Sequence, residues 1–159
     1  MATHLKVGDI APDFTGLSTD GSPLSLADFR GKKLVIYFYP MDDTPGCTKQ
    51  ACSLRDANAE IVAKGAAILG VSAQGVESHR KFTEKYRLNF PLLADTGQVV
   101  AKAYGVAGSG VSGLLRGLLK ANERVTFVID AAGRISHVID DPNCADHGQE
   151  VLDRLSLSA

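Results

Sequence analysis

The chain has 159 residues, 45% of them hydrophobic and 22% charged, ordinary values for one globular domain, residues 1–159, long enough to bury a real core. Its 17 basic and 18 acidic side chains leave a formal net charge of -1, which argues against the basic footprint of a nucleic-acid or anionic-membrane binder. Residues Met1 to Asp9 hold no apolar run of signal-peptide type and nothing later approaches a membrane span, so a reducing cytoplasm is the expected setting.

In chain order, Asp13–Ser18 and Leu24–Leu26 flank the turn-rich Thr19-Asp20-Gly21-Ser22-Pro23 and read as a β-hairpin. Leu34–Tyr39 is a continuous β-prone apolar run of the length of a buried central strand, stopped by Pro40. Cys47–Lys64 reads as a helix with Ala51, Leu54, Ala57, Ile61 and Val62 on its apolar stripe, and Gly65 is placed to end it. Ala66–Ser72 is a second strand and Val76–Tyr86 a second helix. Phe90–Ala94 then looks strand-like and Val99–Tyr104 forms a short helix. Val125–Asp130 and Ile135–Ile139 are strands about the turn Ala131-Ala132-Gly133-Arg134, and His147–Leu155 is a last helix. Alternating strands and helices imply an α/β fold around a mixed sheet. Gly105–Lys120, glycine-rich yet carrying Leu114-Leu115-Arg116-Gly117-Leu118-Leu119-Lys120, reads as a surface insertion, either a variable loop or a flap.

Three cysteines in a reducing compartment are a poor structural disulfide framework and fit catalysis, metal binding or inert packing. Cys47 stands where the first strand delivers the chain, through Pro40-Met41-Asp42-Asp43-Thr44-Pro45-Gly46, to a helix N-terminus. Unpaired backbone N–H groups and the positive end of the helix dipole favour a thiolate there. Gly46 lets the backbone approach a ligand, Pro45 fixes the turn, and the Thr44 hydroxyl is available to the sulfur or to a substrate oxygen. The plain alternative is a small buried residue in a capping turn.

The run P-x-x-x-T-x-x-C at the end of a buried strand resembles the active-site signature of the peroxiredoxins. Gly8-Asp9-Ile10-Ala11-Pro12-Asp13-Phe14 resembles that family's opening motif, Arg124 in Arg124-Val125-Thr126-Phe127-Val128-Ile129-Asp130 matches its active-site arginine, and Cys47-Thr48-x-x-Ala51-Cys52 matches the bacterioferritin-comigratory (PrxQ-like) branch. The resemblance implies a thioredoxin-like fold, with the mixed sheet flanked by helices and extended by the N-terminal hairpin. It also implies reduction of hydrogen peroxide and organic hydroperoxides, and recycling by thioredoxin or a similar dithiol donor, without a cofactor or metal. Cys47 is then the peroxidatic cysteine and Cys52 the resolving one, forming an intramolecular disulfide. Pro40, Thr44 and Arg124 complete the surroundings of the sulfur. Gln50 and Leu54 depart from the pattern, standing where this branch usually carries glutamate and phenylalanine.

The chemistry needs more than an ionised thiol. A thiol of ordinary pKa about 8.5 is a few per cent ionised at neutral pH, so full ionisation gains at most roughly thirtyfold. The remainder must come from donors held against the peroxide oxygens as the O–O bond lengthens. Thr44, the amides near Cys47 and the permanently charged fork of Arg124 are suitable. Five residues of α-helix put Cys52 about 7.5 Å along and roughly 140° around from Cys47, too far to bond without unwinding. An intramolecular bond needs no second subunit, so a monomer is expected.

Two other readings use the same residues. A peroxide sensor that passes oxidation to a partner protein would rely on the same Cys47 chemistry. A zinc site could draw on Cys47, Cys52, Cys144 and His147, although the first spacing is wide for a zinc motif. Cys144 otherwise reads as an incidental thiol near the last helix, with a redox role as the alternative, His147 as a helix-start residue, and His4, His79 and His137 as ordinary surface or strand residues.

Overall fold

The computed structural model describes residues 3–108 and 121–157. Most of the Gly105–Lys120 insertion therefore lies outside the described residues. Among the described residues, seven strands form one mixed sheet: β1 (Thr15–Ser18), β2 (Pro23–Ser25), β3 (Lys33–Phe38), β4 (Ala66–Ser72), β5 (Leu92–Ala94), β6 (Val125–Ile129) and β7 (Ile135–Ile139), in the order β2-β1-β5-β4-β3-β6-β7. The central β3, β4 and β5 are parallel, while β6, β7 and the β1–β2 hairpin join antiparallel. The hairpin extends the sheet at its β5 edge, as the sequence led us to expect.

From Leu34 onward β3 is apolar because both of its faces are covered. Leu34, Ile36 and Phe38 join one buried cluster with Leu69, Phe127 and Tyr104, beneath the short helix α3 (Val99–Ala103). Val35, Tyr37 and the following Tyr39 join a second cluster under three longer helices: α1 (Pro45–Ala63), α2 (Val76–Tyr86) and α4 (His147–Leu155). α1 buries Cys47, Ala51, Leu54 and Ile61. Val62 is 59% exposed: one residue past Ile61, it is rotated by about 100° off the stripe. β5 begins two residues later than the sequence pattern indicates, because Pro91 has no N–H for the ladder.

α4 is seated on both the sheet and α1. The His147 ring is fully buried, with Nε2 2.8 Å from Thr126 Oγ1 on β6 and Nδ1 2.9 Å from Glu150 Oε1. Gly148 N donates to Ser53 Oγ at 2.8 Å. A Cβ on Gly148 would stand 2.5 Å from the Ser53 carbonyl oxygen and 2.8 Å from Ala57 Cβ, so this helix crossing requires glycine. Gly148→Ala is expected to force the helices apart and cost roughly 1–3 kcal/mol, read as a lower urea midpoint.

Burial holds the His147 imidazole below its ordinary value of 6.5; the positive charge of Arg124 adds to this and the Glu150 contact opposes it. The unfolded chain therefore takes up a proton that the folded chain resists. The contribution of His147 is complete above pH 6.5 and is lost as the pH falls below it. Between about pH 7.5 and 5.5 the urea midpoint of the native chain should fall more than that of His147→Gln. Equal slopes would remove this residue from the pH dependence.

Candidate active site

Where β3 ends, the half-buried Pro40 turns the chain out of the sheet and a six-residue loop, Tyr39–Thr44, leads to α1. The helix begins at Pro45, two residues before the sequence pattern places it, because proline's fixed φ and missing N–H suit the first helical position. Thr44 is the N-cap, and the first intrahelical hydrogen bond runs from Thr48 N to Thr44 O at 2.8 Å. The amides of Gly46 and Cys47 precede that bond, and their N–H groups belong to the orphan set at a helix start. Thr44 Oγ1 donates to Met41 O at 3.2 Å rather than to the sulfur. Its proton is committed to the loop, and its lone pairs remain able to accept from a hydroperoxide O–H.

Cys47 is 1% exposed. Arg124, one residue before β6, spans the gap between sheet and helix with both arms of its guanidinium. Nη2 donates to Cys47 Sγ at 3.3 Å, and Nη1 donates to Gln50 Oε1 at 2.6 Å. Cys47 and Gln50 are three apart on α1 and so share one side of the helix. Gln50, although it departs from the family pattern, thus seats the arginine. It does so as a neutral amide. Among the described residues, the Gln50 Nε2 and Tyr37 hydroxyl groups are buried without a hydrogen-bond partner.

The loop is clamped to α2 by residues that local sequence pattern does not single out. Asp42 accepts from Tyr39 Oη at 2.6 Å and from Ser78 Oγ at 2.7 Å, and lies 2.7 Å from His79 Nδ1. His79 is fully buried, with Nε2 2.9 Å from Leu93 O, and is therefore neither a surface nor a strand residue. Its place on the inner side of α2 follows from the apolar Phe82 three residues on. Asp43, held at a positive φ of 61°, pairs with Lys85 Nζ at 2.9 Å and accepts from Tyr86 Oη at 2.7 Å. These two contacts hold its carboxyl below the usual range.

The three thiols are free. Cys52 is half-buried on α1, beside Arg55, which also donates to Tyr86 O at 2.6 Å. Cys144 lies in the 3-10 turn Cys144–Asp146 that leads into α4. Among the described residues no group of three histidine, cysteine or acidic side chains is arranged to hold a metal ion. Both nitrogens of His147 are already partnered. The zinc reading therefore gains no support from the arrangement of its four residues. A cleft of about 400 Å³ lined by Ile10, Leu26, Phe29 and Ile129 lies at the other end of the sheet and contains none of the candidate residues.

Residues 7–138 match the model of the AhpC/TSA family. Peroxiredoxin Bcp of Escherichia coli K12 is 42% identical over 155 residues, covering 98% of each chain. The chloroplastic peroxiredoxin Q of Sedum lineare is 43% identical over 134 residues, covering 84% of this chain and 68% of its own. Among solved structures, peroxidoxin BcpB from Mycobacterium tuberculosis superposes with a TM-score of 0.84 at 33% identity, covering 96% of this chain and 97% of that one. PrxQ of Xylella fastidiosa gives a TM-score of 0.87 at 28% identity, with 96% of each chain covered. On these matches the chain belongs to the AhpC/TSA family and is a peroxiredoxin of the Bcp/PrxQ kind.

Proposed function

We propose that Cys47 is the peroxidatic nucleophile of this thiol peroxidase, acting on hydrogen peroxide and organic hydroperoxides. The observation that carries the reading is the Arg124 N–H directed at a buried sulfur in the first turn of α1. The thiolate attacks one peroxide oxygen, the O–O bond breaks, and the departing oxygen takes a proton to leave as water or an alcohol, with Cys47 left as the sulfenic acid. The guanidinium and the first-turn amides are placed to steady charge on the departing oxygen, where one donor is worth about 10²–10³ in rate. Thr44 orients the substrate by accepting its O–H, and Pro40 turns the loop that holds Thr44 and Cys47 together. The alkyl peroxide reduction ascribed to the Xanthomonas campestris bacterioferritin comigratory protein, 30% identical with a TM-score of 0.82 over 96% of each chain, supports the substrate class.

Cys52 resolves the sulfenic acid as an intramolecular disulfide with loss of water, and thioredoxin or a similar dithiol returns both thiols. Such a cycle is complete within one chain, which favours a monomer, and it belongs in the reducing cytoplasm. Because both cysteines lie on α1, the segment Cys47–Leu54 must unwind in each cycle.

Peptide mapping without reductant, after one equivalent of hydrogen peroxide, should find Cys47 joined to Cys52; an unmodified Cys47 would sink the reading. Cys47→Ser should abolish turnover, and Arg124→Ala should slow oxidation of Cys47 by about 10²–10³, with Arg124→Lys restoring part of the loss. Amide hydrogen exchange across Cys47–Leu54 should be faster in the disulfide form than in the reduced form. Equal protection in the two states would exclude the unwinding step.

A further inference from the structure

We infer that Cys144 is a second resolving thiol, able to trap oxidised Cys47 as a Cys47–Cys144 disulfide; this rests on the assignment of Cys47 as the nucleophile. The Cys144 sulfur lies 3.9 Å from where a Cβ on Gly46 would stand. The same point is 3.3 Å from Arg124 Nη2, the nitrogen that donates to Cys47 Sγ. The point beside Gly46 thus neighbours both the Cys144 sulfur and the guanidinium arm that meets Cys47 Sγ.

Helix geometry favours this pair. Gly46 is one residue from Cys47, about 100° around α1, whereas Cys52 is five residues away, about 140° around and 7.5 Å along. Cys144 is carried by a separate element packed directly against α1. That element is well fixed: Asn143 Oδ1 accepts from Ala145 N at 3.2 Å, and Asn143 N donates to Glu150 Oε1 at 2.8 Å. Glu150 Oε1 is also the oxygen that faces His147. A bond to Cys144 opens only the start of α1, not the length of helix that separates Cys47 from Cys52.

The step balances without a further reagent. Peroxide, the substrate of the proposed activity, has already oxidised Cys47 to the sulfenic acid. The Cys144 sulfur attacks the Cys47 sulfur, the S–O bond breaks, and the hydroxyl leaves as water with the proton of the Cys144 thiol. The product is a disulfide that a dithiol donor reduces by exchange. Reaching Cys47 while most of α1 stays folded, Cys144 competes with a second peroxide that would otherwise carry the sulfenic acid to the sulfinic acid.

The test is the full-length Cys52→Ser protein, treated with one equivalent of hydrogen peroxide, alkylated and mapped without reductant. The expected result is a Cys47–Cys144 linkage within a single chain and the loss of two alkylatable thiols. Cys52→Ser/Cys144→Ser should give no linkage, with Cys47 as sulfenic or sulfinic acid. Cys47 oxidised in Cys52→Ser while Cys144 remains alkylatable would overturn this inference and leave the peroxidatic assignment standing. Cys47 unreacted would overturn both. Cys144→Ser in the otherwise native chain gives an independent reading. Under excess peroxide its Cys47 sulfinate fraction should rise about twofold or more above native, and an unchanged fraction would count against a second resolver.

Discussion

The site depends on one side chain that reaches from the sheet to the helix. Arg124 precedes β6, Cys47 and Gln50 stand on α1, and the guanidinium fork holds one partner on each arm. Its planar geometry suits that double duty, since each arm fixes the direction of the other. With the arginine in place, the position of the sulfur is tied to the register of β6 against β3, where Phe38 lies opposite Val125. The geometry of the candidate site is in this way inherited from strand pairing.

That framework has a softer side and a harder side. On the α2 side the loop is held by charges and hydroxyls: Asp42 against Ser78 and His79, Asp43 against Lys85 and Tyr86. On the α4 side the hold is steric, through a glycine crossing that leaves no room for a methyl group. The segment that the proposed cycle must unwind runs between these two supports. Polar contacts can break and re-form with water, while a close-packed crossing resists opening.

Much of this was written locally in the chain. The strand Leu34–Tyr39, the Pro40 stop and the Thr44-Pro45-Gly46-Cys47 turn are contiguous, so periodicity and turn chemistry locate the thiol at the start of α1 without tertiary knowledge. Arg124 was found through the resemblance of its surroundings, since an arginine before a strand is by itself an ordinary solvated charge. What stayed hidden is long-range. Gln50 meets Arg124 across 74 residues and His79 meets Asp42 across 37, and no pattern within a helix reveals which loop will lie over it. Thr126 and His147 are likewise two polar residues whose pairing appears only when α4 docks. The nearness of Cys144 to Gly46 belongs to the same class, because glycine contributes nothing to periodicity and its value lies in what may stand beside it.

The near-complete burial of Cys47 has a consequence for which molecules can speak to this protein, and in what order. A peroxide is a two-oxygen probe that can slip beneath a loop, whereas a dithiol protein presents its sulfur on a broad surface. In the proposed cycle, the folded helix start admits the oxidant and turns away a bulky reductant. On the same proposal, only the resolved disulfide, formed by moving the chain, brings sulfur outward where a large partner can dock. Size alone then keeps the two half-reactions apart: the reductant meets a chain that has already discharged its peroxide, and the resting thiol is spared from idle exchange with the other thiols and disulfides around it.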